Sequence, residues 1–345
     1  MAATQALRVA VVGAGAFGRN HLRVLRELQQ VGQTVELVAV VDRDSAAVAL
    51  ASEKFGVPGF ETIEECLSAV GGLDAASVCV PTVHHASVAA RLLAAGVDLL
   101  IEKPLAASLA DADLILELAR KHGRIVQVGH LERFNPAVSA ARQHLHKPMF
   151  FEAHRLSIFT PRSLDVDVVL DLMIHDLDIV LSLVASPVRE VRAVGLPVLS
   201  NKVDIANVRL EFENGCVANF TASRVSTERV RKMRFFQPHQ YLSLDFARQD
   251  LLLIDVTAAA GMDMAQLAAL ATAAAAAGGH PSAGMALTKV PVEAGEPLRL
   301  EIEAFLRAVR EQTEPVVTVE DGRAALGLAL EINASIAAHA RRTGL

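Results

Sequence analysis

The first part of the chain alternates between short apolar runs and amphipathic stretches of helix length, and this alternation limits the fold more than any other feature of the sequence. β-Branched residues fill the apolar runs, which have the length of strands buried on both faces. Strands that alternate with helices form βαβ units, and such units build a parallel sheet. We therefore predict one doubly wound α/β domain of the Rossmann type over residues 1–130. The predicted strands are LRVAVV (7–12), ELVAVVD (36–42), AASVCVP (75–81), VDLLIEKP (97–104) and RIVQVGH (124–130).

The second part of the chain has a different pattern, in which strands follow one another with few helices between them. In the segment LEFENGCVANF (210–220), Asn214 and Gly215 stand between two alternating arms, which is typical of a β-hairpin. Over residues 131–345 we predict an α+β domain with a mostly antiparallel, open sheet, which binds the substrate and carries the contacts of a homo-oligomer. Whether the closing helices, at about 297–342, pack back on the first domain is left open.

Two segments interrupt the strands of this second domain. One helix is predicted over about 168–184. The stretch 257–293 is rich in Ala and Gly, and we interpret it as a helix-containing insertion.

Composition excludes several classes of protein. A chain of 345 residues has the length of two domains. Its net charge of −6 argues against nucleic-acid binding, which usually needs a basic surface. The three cysteines are far apart and form no CxxC pair, so they indicate neither a disulfide framework nor a zinc site, and a reducing cytoplasm fits best. No metal is expected, because the histidines are scattered, and no membrane insertion is expected, because no apolar run approaches about 20 residues.

The segment GAGAFG, Gly13 to Gly18, fits the GxGxxG pattern of dinucleotide-binding domains. It follows a predicted strand and opens a predicted helix, which is the structural context that the pattern requires. Gly13 permits a tight turn, Gly15 lets backbone N–H groups approach a pyrophosphate, and Gly18 lets the helix pack on the strand. Ala16 and Phe17 begin the helix, whose N-terminus offers partial positive charge to the phosphates. The segment therefore predicts a bound dinucleotide.

A carboxylate at the end of the second strand indicates which dinucleotide is bound. Asp42 lies 24 positions after Gly18, where an acidic side chain accepts hydrogen bonds from the adenosine ribose and repels a 2′-phosphate. This favours NAD over NADP. The adjacent Arg43 leaves NADP open, since an arginine can receive a 2′-phosphate or stack on adenine.

The triplet Glu102-Lys103-Pro104 ends a predicted strand. Carboxyl ends of strands in a doubly wound sheet face the ligand crevice, so Lys103 is a candidate to exchange a proton with a substrate hydroxyl. A lysine after a strand is otherwise an ordinary solvated residue.

In the second domain, Asp171 and His175 are four residues apart and share a helical face, so the carboxylate can orient the imidazole. A capped helix with a buried, satisfied histidine is the alternative.

Taken together, these motifs resemble those of the Gfo/Idh/MocA (glucose–fructose oxidoreductase / inositol dehydrogenase) family over nearly the whole chain. The elements, in matching order and spacing, are GAGAFG, Pro81 with His85, EKP, GHLERFNP (129–136) and DLMIH (171–175). The resemblance implies an enzyme, an NAD-dependent oxidoreductase acting on CH–OH groups, with Lys103, Asp171 and His175 in the active site. It also places Val80, Pro81, His85 and Glu102 near the cofactor.

The substrate is indicated by a finer resemblance. GHLERFNPAV, the run around DLMIHDLDIV and the segment ASRVSTERVRKMRFF resemble the branch of the family that acts on UDP-N-acetylglucosamine. That branch oxidises the sugar 3-hydroxyl to a ketone, which a pyridoxal-phosphate aminotransferase then converts to a 2,3-diamino sugar for lipid A. A pyrophosphate calls for arginines, and this half of the chain is rich in them, although any one arginine can instead belong to a solvated strand face. The candidate substrate ligands are Arg133, Asn135, Arg155, Arg162, Asp171, His175 and Arg224.

The expected mechanism is direct hydride transfer from the sugar carbon to nicotinamide. Lys103 or His175 takes the hydroxyl proton and the other stabilises the oxygen, with Asp171 orienting the pair. Which one is the base is left open, because the two titrations are coupled. Three alternatives remain, namely the same chemistry on another sugar or an inositol, a non-catalytic NAD-binding regulator built on the same fold, and a dinucleotide-binding reductase that works toward the hydroxyl in the cell.

Overall fold

The computed structural model describes residues 5–159, 166–256, 260–276 and 286–344. The chain forms two compact units, one made of Met1–Phe134 with Gly295–Leu328 and the other of Asn135–Ala294 with Ala329–Leu345. Within the described residues, no helix is both long enough and apolar enough to cross a bilayer.

The first unit is built on a parallel sheet of six strands in the order β3-β2-β1-β4-β5-β6. This confirms the predicted Rossmann fold. β1 lies between β2 and β4, so the strand order reverses there, and ligands bind at that point in doubly wound sheets. The strands are β1 (Leu7–Val12), β2 (Val35–Val41), β3 (Gly59–Phe60), β4 (Ala75–Val78), β5 (Asp98–Glu102) and β6 (Val126–Gly129). The helices are α1 (Ala16–Gln30), α2 (Ser45–Phe55), α3 (Ile63–Ala69), α4 (His85–Ala94), α5 (Leu109–His122) and α9 (Pro297–Glu311).

Helix α9 is remote in sequence but is part of the core of the first unit. Its residues Ile302, Phe305, Leu306 and Val309 are buried in one apolar cluster with residues of β1, β2 and α1. These positions recur at helical spacing, so α9 is amphipathic and buries one face.

The second unit is built on an eight-stranded sheet in the order β14-β13-β12-β11-β7-β10-β9-β8. All neighbours are antiparallel except β7 and β10, which are parallel, and this confirms the predicted mostly antiparallel sheet. The strands are β7 (Phe150–Ile158), β8 (Val188–Leu196), β9 (Ile205–Phe212), β10 (Val217–Ser226), β11 (Val230–Gln237), β12 (Gln240–Asp245), β13 (Asp250–Asp255) and β14 (Ala286–Val290). The remaining helices of the chain are α6 (Pro136–Arg142), α7 (Ile174–Val184), α8 (Met264–Ala276) and α10 (Val319–Thr343), which contributes to both units.

Period-two patterning gives the eight-stranded sheet one covered face and one more open face. On β7, Phe151, Ala153 and Arg155 are buried, whereas Glu152 and His154 between them are partly exposed. β9 and β10 pair as the expected hairpin across Asn214 and Gly215. The Ala- and Gly-rich stretch contains the expected helix, α8, and also β14, which the sequence did not predict because its low complexity hides the strand pattern.

A buried carboxylate organises the turn between β8 and β9. Asp204 accepts hydrogen bonds from the backbone N–H groups of Val198, Leu199 and Ser200 at 2.8, 2.6 and 2.8 Å, and from the Ser200 hydroxyl at 2.7 Å. The Arg224 guanidinium lies 3.8 Å away. Burial by itself would raise the pKa of Asp204, but the hydrogen bonds that stabilise the charged form outweigh it and lower the pKa to about 2.

We expect Asp204→Asn to lower the free energy of unfolding of this unit by about 3 kcal/mol at pH 7, because the new amide NH2 group opposes the backbone donors. In the wild type the folded pKa lies below the ordinary value of 3.8, so the stabilisation is full above that value and is lost as the pH falls toward about 2. The difference between wild type and variant should therefore shrink between pH 7 and pH 3. Urea unfolding followed by fluorescence of Tyr241, the single tyrosine of the chain, measures it in this unit. A difference that is equal at both pH values would contradict the assignment.

Candidate active site

The glycine turn follows β1 directly and leads into α1. Gly13 has a φ of +106°, and a Cβ there would lie 2.5 Å from the Cys79 carbonyl oxygen, so only glycine fits. A Cβ on Gly18 would lie 1.7 Å from the Gly13 oxygen, which shows how closely the helix approaches the turn. A Cβ on Gly15 would meet nothing within 4 Å, so the backbone there borders open space. The N–H groups at the start of α1, near Ala16 and the half-exposed Phe17, are thus accessible to a phosphate.

Asp42, after β2, is held beside this turn. Its Oδ2 accepts a hydrogen bond from the Ala14 N–H at 2.7 Å, and its Oδ1 accepts one from the Asp44 N–H at 3.0 Å. A cavity of about 350 Å3 opens at this place. Four of the residues predicted to bind the cofactor line it together, namely Asp42, Arg43, Val80 and Pro81.

The cavity has further walls that sequence reasoning missed. They come from the segment around the start of α3 and from α4 with the turn before it. These residues belong to no motif, and only the packing of α3 against β2 and β3 and of α4 against β4 and β5 brings them to the cavity. They are Glu61, Thr62, Ile63, His84, Ser87, Val88 and Arg91.

His85 supports the cavity wall instead of facing the cavity. Its ring is 1% exposed, with Nε2 at 2.9 Å from the Val80 carbonyl and Nδ1 at 3.1 Å from the Pro104 carbonyl. Burial lowers the pKa of His85, against the opposing effect of these carbonyl contacts. The imidazole therefore lies between the loop after β4, which contains Val80, and the loop that follows Lys103.

Lys103 directly follows β5, at the carboxyl end of the parallel sheet, and is half-buried. Its backbone N–H donates to Oε2 of Glu102 at 3.3 Å. Glu102 itself is buried, and its carboxylate lies in the interior of the unit. The structure thus keeps Lys103 at the edge where this class of sheet binds ligands, and places Glu102 beneath it.

In the second unit, Asp171 and His175 lie on adjoining helical turns of different type. Val169–Met173 is a π-helical turn, and α7 begins at Ile174. Both side chains are half-buried, whereas Met173 and Ile174 are buried in the core. Single π-helical turns are rare and occur frequently at functional sites. The sequence predicted one helix here but not the π turn, because apolar spacing does not distinguish the two.

Asp167 fixes the start of this π turn. Its Oδ1 accepts hydrogen bonds from the N–H groups of Val169 and Leu170 at 2.9 and 3.0 Å. Its Oδ2 accepts one from the Asn333 side chain of α10 at 2.9 Å. Asp167 therefore fixes the backbone of Val169 and Leu170, at the start of the π turn that contains Asp171.

The arginine predicted to contact substrate on β7 is engaged inside the protein. Arg155 donates from Nε and Nη2 to the two carboxylate oxygens of Asp176 at 2.9 and 2.7 Å, and both side chains are 4% exposed. Its guanidinium also lies over the Phe246 ring at 5.2 Å from the centroid. This buried pair holds Asp176, the residue after His175.

The other predicted substrate ligands also have internal contacts. Arg133 lies 3.6 Å from Asp321, and Asn135 caps α6 through Ala137 N–H. Arg224 donates to the Val166 carbonyl at 2.6 Å. Arg162 lies outside the described residues. Contacts of these residues with a substrate stay a prediction, and within the described part of the chain no group of three or more metal-ligating side chains is found.

The fold and the cavity at the glycine turn define an NAD-binding oxidoreductase. Residues 7–130 match the family model described as "Oxidoreductase family, NAD-binding Rossmann fold", and residues 137–237 match the GFO/IDH/MocA C-terminal domain. The chain belongs to the Gfo/Idh/MocA family.

Curated relatives and solved structures agree with this assignment. The UDP-N-acetylglucosamine 3-dehydrogenase of Acidithiobacillus ferrooxidans is 33% identical over 337 residues, covering 97% of this chain and 99% of that one. A crystal structure under that name superposes with a TM-score of 0.83 at 31% identity, covering 96% of this chain and 98% of the other. An inositol 2-dehydrogenase of Acidothermus cellulolyticus is 33% identical over 205 residues, which is 56% of this chain and 58% of that one.

We expect Asp42→Ala to lower kcat/KM for NAD by about 10- to 100-fold, because a charged acceptor for the ribose hydroxyls is lost. The kcat/KM for NADP should rise relative to that for NAD, since the carboxylate no longer repels a 2′-phosphate. Initial rates with each cofactor measure both effects. Asp42→Asn is the matched control, since it keeps the size of the side chain and should give a smaller loss. An unchanged ratio of the two cofactors in Asp42→Ala would show that this carboxylate does not select NAD.

Proposed function

We propose that this NAD-dependent dehydrogenase oxidises the 3-hydroxyl of UDP-N-acetylglucosamine to a ketone. The observation that carries the proposal is the 33% identity to the Acidithiobacillus ferrooxidans enzyme, which extends over 97% of the chain. Identity to the inositol dehydrogenase covers only 56% of the chain. A sugar nucleotide is therefore favoured over an inositol.

NAD fits the residues of the first unit. The open space at Gly15 and the N-terminus of α1 would receive the pyrophosphate, and the Asp42 carboxylate would accept hydrogen bonds from the adenosine ribose. Arg43, Val80 and Pro81 line the cavity beside it. When bound, NAD supplies a nicotinamide that accepts the hydride.

The side chains of the protein handle the proton of the substrate hydroxyl. Lys103 or His175 takes this proton while the carbon that bears the hydroxyl gives up its hydride. The reaction yields a ketone, NADH and one proton. The other group, in its protonated form, would stabilise the charge that develops on the oxygen. Asp171 orients the imidazole from the preceding π turn. Because both groups act on one oxygen, they titrate as a pair.

The diphosphate of the substrate needs cationic ligands, and we assign this role to Arg133 at the end of the first unit's N-terminal part and to arginines of the second unit. The proposed ligands are Arg133, Asn135, Arg155, Arg162 and Arg224, together with Asp171 and His175 at the reacting sugar.

The chemistry of the product suggests its use. A 3-keto sugar is a substrate for a pyridoxal-phosphate aminotransferase, which would give a 2,3-diamino sugar for lipid A in the cytoplasm. We also propose a homo-oligomer formed through the open face of the eight-stranded sheet. In support, Phe150, Phe236 and Tyr241 form a ring cluster, with centroids 5.5 and 4.9 Å apart, and Phe236 is 36% exposed.

Incubation with NAD and UDP-N-acetylglucosamine tests the substrate assignment. We expect NADH absorbance and a product two mass units lighter, with a coupled aminotransferase and its amino donor drawing off the ketone. myo-Inositol and free N-acetylglucosamine serve as matched alternative substrates. If the sugar nucleotide is inert even with the coupling enzyme while another polyol is oxidised, the substrate assignment is wrong. Tight NAD binding without turnover of any substrate would instead favour the non-catalytic regulator.

A further inference from the structure

A polar network lies in the interior of the first unit, beneath the glycine turn. His21 on α1, Ser77 on β4 and Glu102 at the end of β5 are 0%, 1% and 6% exposed. His21 Nε2 lies 2.9 Å from Glu102 Oε1, and its Nδ1 lies 3.2 Å from the Ser77 hydroxyl oxygen. Burying a polar group lowers the stability of the fold unless the group forms hydrogen bonds. A buried polar network at this place therefore suggests a role beyond packing.

One tautomer of His21 satisfies both contacts. The Nε2–H group donates to the Glu102 carboxylate, and the Ser77 hydroxyl donates to Nδ1. Such an imidazole is held at both nitrogens and cannot rotate without losing a bond. His21 therefore fixes the position of one oxygen of Glu102.

The other oxygen of the Glu102 carboxylate contacts the backbone of Lys103, directly after β5. Glu102 Oε2 accepts a hydrogen bond from the backbone N–H of Lys103 at 3.3 Å. Gly129 on the neighbouring β6 leaves the necessary space, since a Cβ there would lie 3.2 Å from the Glu102 carboxyl carbon and from Oε2. A single carboxylate thus connects helix α1 with the backbone from which the Lys103 side chain leaves.

We propose that His21 is a positioning residue that holds Lys103 in register with bound NAD. Helix α1 carries the phosphate site at its N-terminus and His21 six residues after Gly15. His21 fixes Glu102, and Glu102 fixes the Lys103 backbone. The helix that receives the cofactor and the lysine that exchanges the proton are therefore coupled through one buried hydrogen-bond chain. The inference rests on the proposed catalytic role of Lys103.

His21→Leu and His21→Gln test the proposal, because glutamine can keep an N–H donor toward Glu102 and leucine cannot. We expect kcat to fall about 10- to 100-fold in His21→Leu, as expected for a small displacement of a catalytic group, with KM values changed less than about twofold. His21→Gln should recover most of kcat. His122→Leu, on the far end of α5, is the matched control and should retain wild-type kcat.

A second measurement needs no sugar substrate. Hydrogen–deuterium exchange of the Lys103 amide, resolved by fragmentation mass spectrometry of the full chain with NAD bound, should be about tenfold faster in His21→Leu than in the wild type. Amides of β2 should be unchanged, which separates this effect from general unfolding. Should His21→Leu fail to fold, Glu102→Gln replaces it, since it keeps the volume and removes one acceptor.

The outcomes separate the two proposals. If the wild type does not oxidise UDP-N-acetylglucosamine, the substrate assignment fails, and the exchange of the Lys103 amide still decides the role of His21. Equal exchange at Lys103 in the wild type and His21→Leu overturns the positioning role. So does a His21→Gln variant whose kcat is as low as that of His21→Leu.

Discussion

Lys103→Met is expected to lower kcat about 10³-fold, the largest effect of any substitution considered, because it removes a group proposed to exchange a proton with the substrate. Methionine has nearly the length of lysine and no charge, so the backbone after β5 should keep its position. The adenosine part of the cofactor is proposed to bind at Asp42, not at the substituted side chain, so the Kd for NAD should change less than about threefold. Stopped-flow measurement of NADH formation gives kcat, and isothermal titration calorimetry gives the Kd.

Lys121→Met is the matched control, because Lys121 is an exposed lysine in the last turn of α5. It should have wild-type kcat. A Lys103→Met enzyme with kcat within tenfold of the wild type would remove Lys103 from the proton-transfer step.

The second large effect is expected at His175. His175→Gln should lower kcat about 10²-fold, because an amide can hydrogen-bond to the substrate oxygen but cannot accept a proton. The pH profile distinguishes this role from a structural one. In the wild type, a plot of kcat/KM against pH should have two limbs, which arise from the coupled titration of Lys103 and His175. The variant should lose one of these limbs.

His146→Gln is the control for this substitution, since His146 is an exposed histidine of the same unit. Asp171→Asn should have a smaller effect than His175→Gln, because Asp171 acts by orienting the imidazole. A His175→Gln profile with the same two limbs as the wild type would mean that His175 does not titrate in the reaction.

The Rossmann half was the more predictable part, for a physical reason. Its strands are buried on both faces, so they stand out as continuous apolar runs, and the tight approach of Gly13 to Cys79 leaves glycine as the only choice. The same local signals cannot show which distant segments meet. Glu61, His84 and Arg91 line the cavity beside Asp42 without any motif, because their position depends on the packing of α3 and α4.

The second unit shows the limit of residue type as a guide. Arg155 is predicted to contact substrate because arginines suit a diphosphate, and this stays a prediction, whereas the structure shows a buried, two-bond pair of its guanidinium with Asp176. An arginine has the same appearance in sequence whether its partner is a ligand or a carboxylate 21 residues away. The π turn at Asp171 was not predicted, since it has only five residues, too few for apolar spacing to distinguish it from an α-helical turn.

The burial of α9 in the first unit has a consequence for how the chain acquires its structure during synthesis. The ribosome completes residues 1–134 long before Pro297–Glu311 emerges, so the groove that receives Phe305 and Leu306 stays open to water throughout that interval. Contacts between residues so far apart along the chain form slowly and leave apolar surface exposed to aggregation. We therefore expect the N-terminal unit to be prone to aggregation until Pro297–Glu311 has been translated, although its sheet is contiguous in sequence.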